Sequence, residues 1–150
     1  MNPSDKLSFH FTLEEMIASD TAIRHGWSNY PDPQSIESLK RLCTLLEQVR
    51  MLFLAPITIT SGYRSKRVND AVGGKETSQH RLGCAADFKV SGYTPDEVCQ
   101  RIAKSGLQFD QLIREYNVWT HISVPNDPER PCRGQVLIID NLGTRPYILR

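Results

Sequence analysis

The chain has 150 residues, a formal net charge of +1, 39% hydrophobic residues and 23% charged ones. That length suits one domain spanning residues 1–150, large enough to bury a core without disulfides. The near-neutral charge argues against a polyanion-binding surface, no nucleic-acid motif is visible, and no apolar run approaches the roughly 20 residues of a membrane helix.

Thr12-Leu13-Glu14-Glu15 has the form of a capping box and predicts a short helix to about Ser19. Gly26 to Pro33 carries Gly, Asn and two prolines and reads as a loop. Ile36, Leu39, Cys43, Leu46, Val49 and Phe53 recur at helical spacing and predict a long helix from about Gln34 to Phe53. Pro56 ends it, and Ile57-Thr58-Ile59-Thr60 is a β-branched strand. A turn at Ser61-Gly62-Tyr63-Arg64 and a loop at Gly73-Gly74 follow.

Ala85 to Val90 alternates, with Ala85, Asp87 and Lys89 on one side and Ala86, Phe88 and Val90 on the other. Thr94-Pro95-Asp96-Glu97 starts a helix with Thr94 as cap and Pro95 at its first position; Val98, Ile102 and Ala103 form its buried stripe and Gly106 closes it. Phe109 to Glu115 and Val118 to Val124 read as antiparallel strands joined near Tyr116-Asn117. Val136 to Asp140 and Pro146 to Leu149 read as a last hairpin. Helices flanking a mostly antiparallel sheet make an α+β domain.

The chemistry gathers in Ser78-Gln79-His80-Arg81-Leu82-Gly83-Cys84-Ala85-Ala86-Asp87, answered by Trp119-Thr120-His121. Two imidazoles and a carboxylate are the protein ligands zinc takes when its fourth position stays open for water. The small residues Gly83 to Ala86 let the backbone run close to an ion. Alternation puts His121 on the strand face of Trp119 and Ser123, away from the core-facing Thr120, Ile122 and Val124. A lone strand histidine is ordinarily structural, but a strand aspartate is costly to bury unless it is paired or bound to a metal. From the residues alone both the structural and the metal readings stand. His10 and His25 lie in no such context. Cys43, Cys84, Cys99 and Cys132 form no C-x-x-C pair and read as reduced thiols, with Cys84 also a candidate fourth ligand.

Ser-Gly-Tyr-Arg at 61–64, Gly73-Gly74, Ser78-Gln79-His80-x-x-Gly83-x-Ala85-x-Asp87 and Trp119-x-His121 together resemble the zinc D-alanyl-D-alanine carboxypeptidase family, peptidase family M15, in its compact phage-endolysin branch. The likeness runs from about Phe9 through Ser123. It implies a small α+β domain whose antiparallel sheet carries Zn2+ on His80, Asp87 and His121. It further implies Arg64 and Ser78 as substrate contacts and a glutamate shortly before the last ligand as general base. Some branches place that glutamate where this chain has Val118; Glu115 is the match here, and Asp110 the fallback. Tyr63 and Trp119 are expected as pocket walls. The implied substrate is the peptidoglycan stem peptide, cut by a carboxypeptidase or endopeptidase reaction. A D-Ala-D-Ala dipeptidase and a non-catalytic zinc-containing wall-peptide module are the alternatives. Residues Met1 to His10 lack a basic start followed by an apolar stretch, so synthesis in the host or bacterial cytoplasm is expected. A monomer that contacts neither nucleic acid nor membrane completes the expectation.

Overall fold

The computed structural model describes residues 1–150. Its framework is a six-stranded sheet built from β1 (Ile57–Ser61), β2 (Ala85–Val90), β3 (Gln111–Glu115), β4 (Trp119–Ser123), β5 (Gln135–Asp140) and β6 (Gly143–Pro146). The strand order is β1-β2-β4-β3-β5-β6. Every neighbouring pair is antiparallel except β3 and β5, which run parallel. The mostly antiparallel α+β expectation therefore holds, with one parallel seam that strand composition does not reveal.

The long helix, α3 (Pro33–Phe53), begins one residue earlier than its periodicity suggests. Asp32 caps it by accepting from Ser35 N, and Pro33 takes the first position, where a missing N–H costs nothing. Leu54 stops it in the left-handed region, its N–H returning to Arg50 O. Leu39, Leu42, Cys43, Leu46, Val49 and Phe53 are all buried. They share one core with Ala86, Phe88, Leu112 and Ile122 of the sheet and with Val98, Cys99 and Ile102 of α5 (Pro95–Lys104). Both long helices thus pack on the same side of the sheet. Burying one side chain such as Phe88, at 0% exposure, contributes about 1.5–3 kcal/mol.

Three short helices complete the chain: α1 (Leu13–Ile17), α2 (Asp20–His25) and α4 (Lys66–Ala71). The last two are absent from the sequence reading, though both have a serine cap, Ser19 and Ser65. Thr12 caps α1 as expected, but the return bond from the Glu15 side chain is not formed. The complete capping box is at Thr94 and Glu97, where both reciprocal bonds are present. The final hairpin pairs β5 with Gly143–Pro146, not with Pro146 to Leu149. Asp140 sets that register by accepting from Leu142 N and from Arg145. The remaining tail crosses back to α5, where Gln100 donates to Ile148 O and accepts from Arg150 N. No helix is long and apolar enough to cross a membrane.

Candidate metal centre

In β2, Ala86, Phe88 and Val90 point into the core, so alternation sends Asp87 to the opposite face. The β2–β4 register sets Asp87 directly across from His121. Cross-strand partners on one face stand close enough for their side chains to meet, and His121 Nδ1 lies 3.0 Å from Asp87 Oδ1.

His80 reaches the same point from outside the sheet. Ser78 Oγ accepts from His80 N and caps a short 3₁₀ turn, Gln79–Leu82. Gly83 closes the turn with a left-handed φ of 74°. Its Cα lies so near α3 that a Cβ would meet Ser35 O at 2.6 Å, so only glycine fits. The His80 ring is oriented by Gly62, whose carbonyl lies 2.7 Å from Nδ1. A carbonyl only accepts, so Nδ1 carries the proton and Nε2 keeps its lone pair. That Nε2 lies 3.4 Å from Asp87 Oδ2. Gly62 is itself held tight: a Cβ there would collide with Met16 O.

The donors of His80, Asp87 and His121 all lie within 4.8 Å of one another. The residues are 3%, 8% and 7% exposed. Burial opposes ionisation of Asp87, but the two imidazoles outweigh it and hold the carboxyl far below the usual range. Burial pushes His80 down, favouring the neutral ring that a metal requires. Two nitrogens and one carboxylate oxygen, with one imidazole oriented by a backbone carbonyl, fit a zinc ion with an open corner. Cys84 is not part of this set. Its Sγ lies 3.8 Å from Pro125 O and 3.8 Å from Arg41 Nη2, which removes it as a fourth ligand.

Glu115 stands beside the triad. Tyr116 and Asn117 both have φ 53° and Val118 N donates to Glu115 O, a tight turn whose twist matches its strands, and three residues, Tyr116 to Val118, separate the paired Glu115 and Trp119. This turn pairs Glu115 with Trp119 and Ile113 with His121, so Glu115 is diagonal to His121. Glu115 Oε1 lies 3.7 Å from His121 Nδ1. Oε2 accepts from Trp119 Nε1 at 3.1 Å. Burial pushes the Glu115 pKa up, and the charge of Asp87 adds to the shift.

Arg64 faces the same carboxylates. Its backbone N–H donates to His80 O, and its half-buried side chain feels the charges of Asp87 and Glu115 while Nε has no hydrogen-bond partner. Tyr63 lies within the hydrophobic core at 8% exposure. Asp110 is engaged elsewhere: Arg133 grips it through Nε at 3.0 Å and Nη2 at 2.6 Å. A carboxylate so engaged is not free to shuttle protons, which removes it as the alternative base.

Two supporting residues escape a reading of the sequence. Asn29 donates to Ile17 O and Tyr63 O and accepts from Ser65 N, pinning the loop that presents Arg64. Gln79 donates to Asp110, Val124 O and Asn126. Their partners are distant in sequence, so no local signal marks them.

The model of a protein family described as Peptidase M15 matches residues 9–123. No curated protein matches the chain.

Proposed function

Because this chain belongs to peptidase family M15, we propose that it is a zinc-dependent peptidase cutting peptidoglycan stem peptides, in the manner of a D,D-carboxypeptidase or endopeptidase from a phage endolysin. The observation that carries this reading is the convergence of His80, Asp87 and His121 with a second acid, Glu115, at their side. A purely structural ion site has no use for that acid.

Zinc bound by His80, Asp87 and His121 would supply a Lewis acid and would lower the pKa of the water it activates to about 7. Glu115 takes the proton from the attacking water and passes it to the leaving amine. Its raised affinity for protons suits both halves of that task. Trp119 keeps the carboxylate aimed by binding Oε2, which leaves Oε1 for the proton. Arg64 offers a planar fork that matches a peptide carboxylate, and its unpartnered Nε is consistent with a guanidinium reserved for substrate. Ser78 holds the backbone of His80.

Mass spectrometry of sacculus digests tests the proposal and identifies the scissile bond. Glu115→Gln should lower turnover by about 10²–10⁴-fold while zinc binding is retained. Chelator should abolish release of stem-peptide fragments by the wild type. Wild-type turnover in Glu115→Gln would remove Glu115 as base, and zinc binding with no cleavage of sacculi or D-Ala-D-Ala peptides would favour a binding module.

A further inference from the structure

Beside the metal centre runs a second polar network that the proposed chemistry does not use. It starts at Gln79, the residue before His80, which is 8% exposed. Gln79 Nε2 donates to Asp110 Oδ2 at 3.1 Å, Val124 O at 3.0 Å and Asn126 Oδ1 at 2.8 Å. The backbone of the same residue is also engaged: Cys84 N donates to Gln79 O, and Val124 N donates to Cys84 O. A closed ring of hydrogen bonds therefore joins the turn carrying His80, the approach to β2 carrying Asp87, and the exit of β4 carrying His121.

Asp110 fastens this ring from the other side. Its backbone N–H donates to Ser123 O, and its backbone O accepts from Gln135 N. Its carboxylate is nearly inaccessible, yet its partner, the Arg133 side chain, is 57% exposed. Arg133 N also donates to Asp110 Oδ1 at 3.1 Å. Arg133 and Asn126 both lie beyond residue 123, where the family match ends. The segment after β4 thus folds back and closes on the turn that presents a ligand.

We infer that Gln79, Asp110 and Arg133 are positioning residues that fix His80 relative to Asp87 and His121 and so set the metal affinity of the site. This rests on the metal reading of the triad. Three donors on three separate elements close on an ion only if those elements keep their spacing. Groups outside the ligand set that orient ligands typically alter metal affinity by 10–100-fold when removed. The ring built on Gln79 links the His80 turn directly to the segment that leaves β4.

The test is the zinc dissociation constant of the full chain, measured by chelator competition, beside the thermal midpoint of the metal-free protein. Gln79→Met keeps bulk but removes the donors and should weaken zinc binding by about 10–100-fold. Arg133→Ala should weaken it in the same direction, and Arg133→Lys should recover part of the loss. Arg145→Ala is the control: it breaks a comparable bidentate pair, to Asp140, in the distal hairpin, and should leave zinc affinity unchanged. Wild-type affinity in both Gln79→Met and Arg133→Ala overturns the inference, as does an equal loss in Arg145→Ala. Should Gln79→Met fail to fold, Arg133→Ala decides alone, since it trims an exposed side chain. A wild-type chain that binds no zinc would instead overturn the metal reading itself.

Discussion

Asp87 and Phe88 are adjacent in β2 and both are buried, at 8% and 0% exposure, yet they serve opposite sides of the sheet. The Phe88 side meets α3 and α5 in an apolar core. The Asp87 side meets two imidazoles and a glutamate. One face gains free energy from burial without direction; the other spends it to hold charged groups at short range. A single period-2 strand can do both because its alternate side chains occupy different solvents.

Substitutions in the two rows should separate function from stability. The largest effect belongs to Asp87→Asn: activity falls by about 10³-fold or more, as losing several kcal/mol of Lewis-acid assistance requires. Added zinc should raise the thermal midpoint of the wild type, by the equivalent of about 2.7 kcal/mol at a hundred times its dissociation constant, and leave that of Asp87→Asn unmoved. Retained zinc in this variant would break the division between faces. Next comes Phe88→Ala, which should cost about 3–5 kcal/mol of stability in a urea titration while the folded fraction keeps wild-type zinc affinity. Lost affinity at unchanged stability would show that the faces are not independent.

The smallest effect sharpens the picture at the margin of the sheet. Burial pushes the Asp110 carboxyl up, but its bonds to Arg133 win and hold it below the ordinary range. Asp110 therefore binds its proton more weakly folded than unfolded, and acid favours the unfolded chain. Its contribution is complete above about pH 4 and fades as the pH falls through the lowered native value. With Arg133 well exposed to screening, the amount is about 1 kcal/mol or less. Urea midpoints at pH 7 and pH 3 should thus differ less in Asp110→Asn than in the wild type. An equal pH response in both would assign the acid sensitivity elsewhere.

Much of the site was legible because it lies on strands. Alternation alone separates Asp87 from Phe88 and His121 from Ile122, and the register then brings the two polar residues together. The Glu115 hairpin was legible too, since a short turn near Tyr116-Asn117 leaves little freedom in pairing. The helices α2 and α4 were not, because six residues hold too few apolar positions to establish a period, despite their serine caps. The parallel pairing of β3 with β5 escaped for another reason: a strand's composition does not name its neighbour. Gln79 and Asn29 escaped because their bonds cross up to 47 and 36 positions of chain.

The Tyr116-Asn117 turn carries an odd–even rule. Each residue in a strand trades sides with the next, so slipping the pairing at this corner by one residue would send the acid to the wrong side of the sheet. A slip of two would restore its side but move it a step away from His121. The register held at this corner is consequently the acid's address.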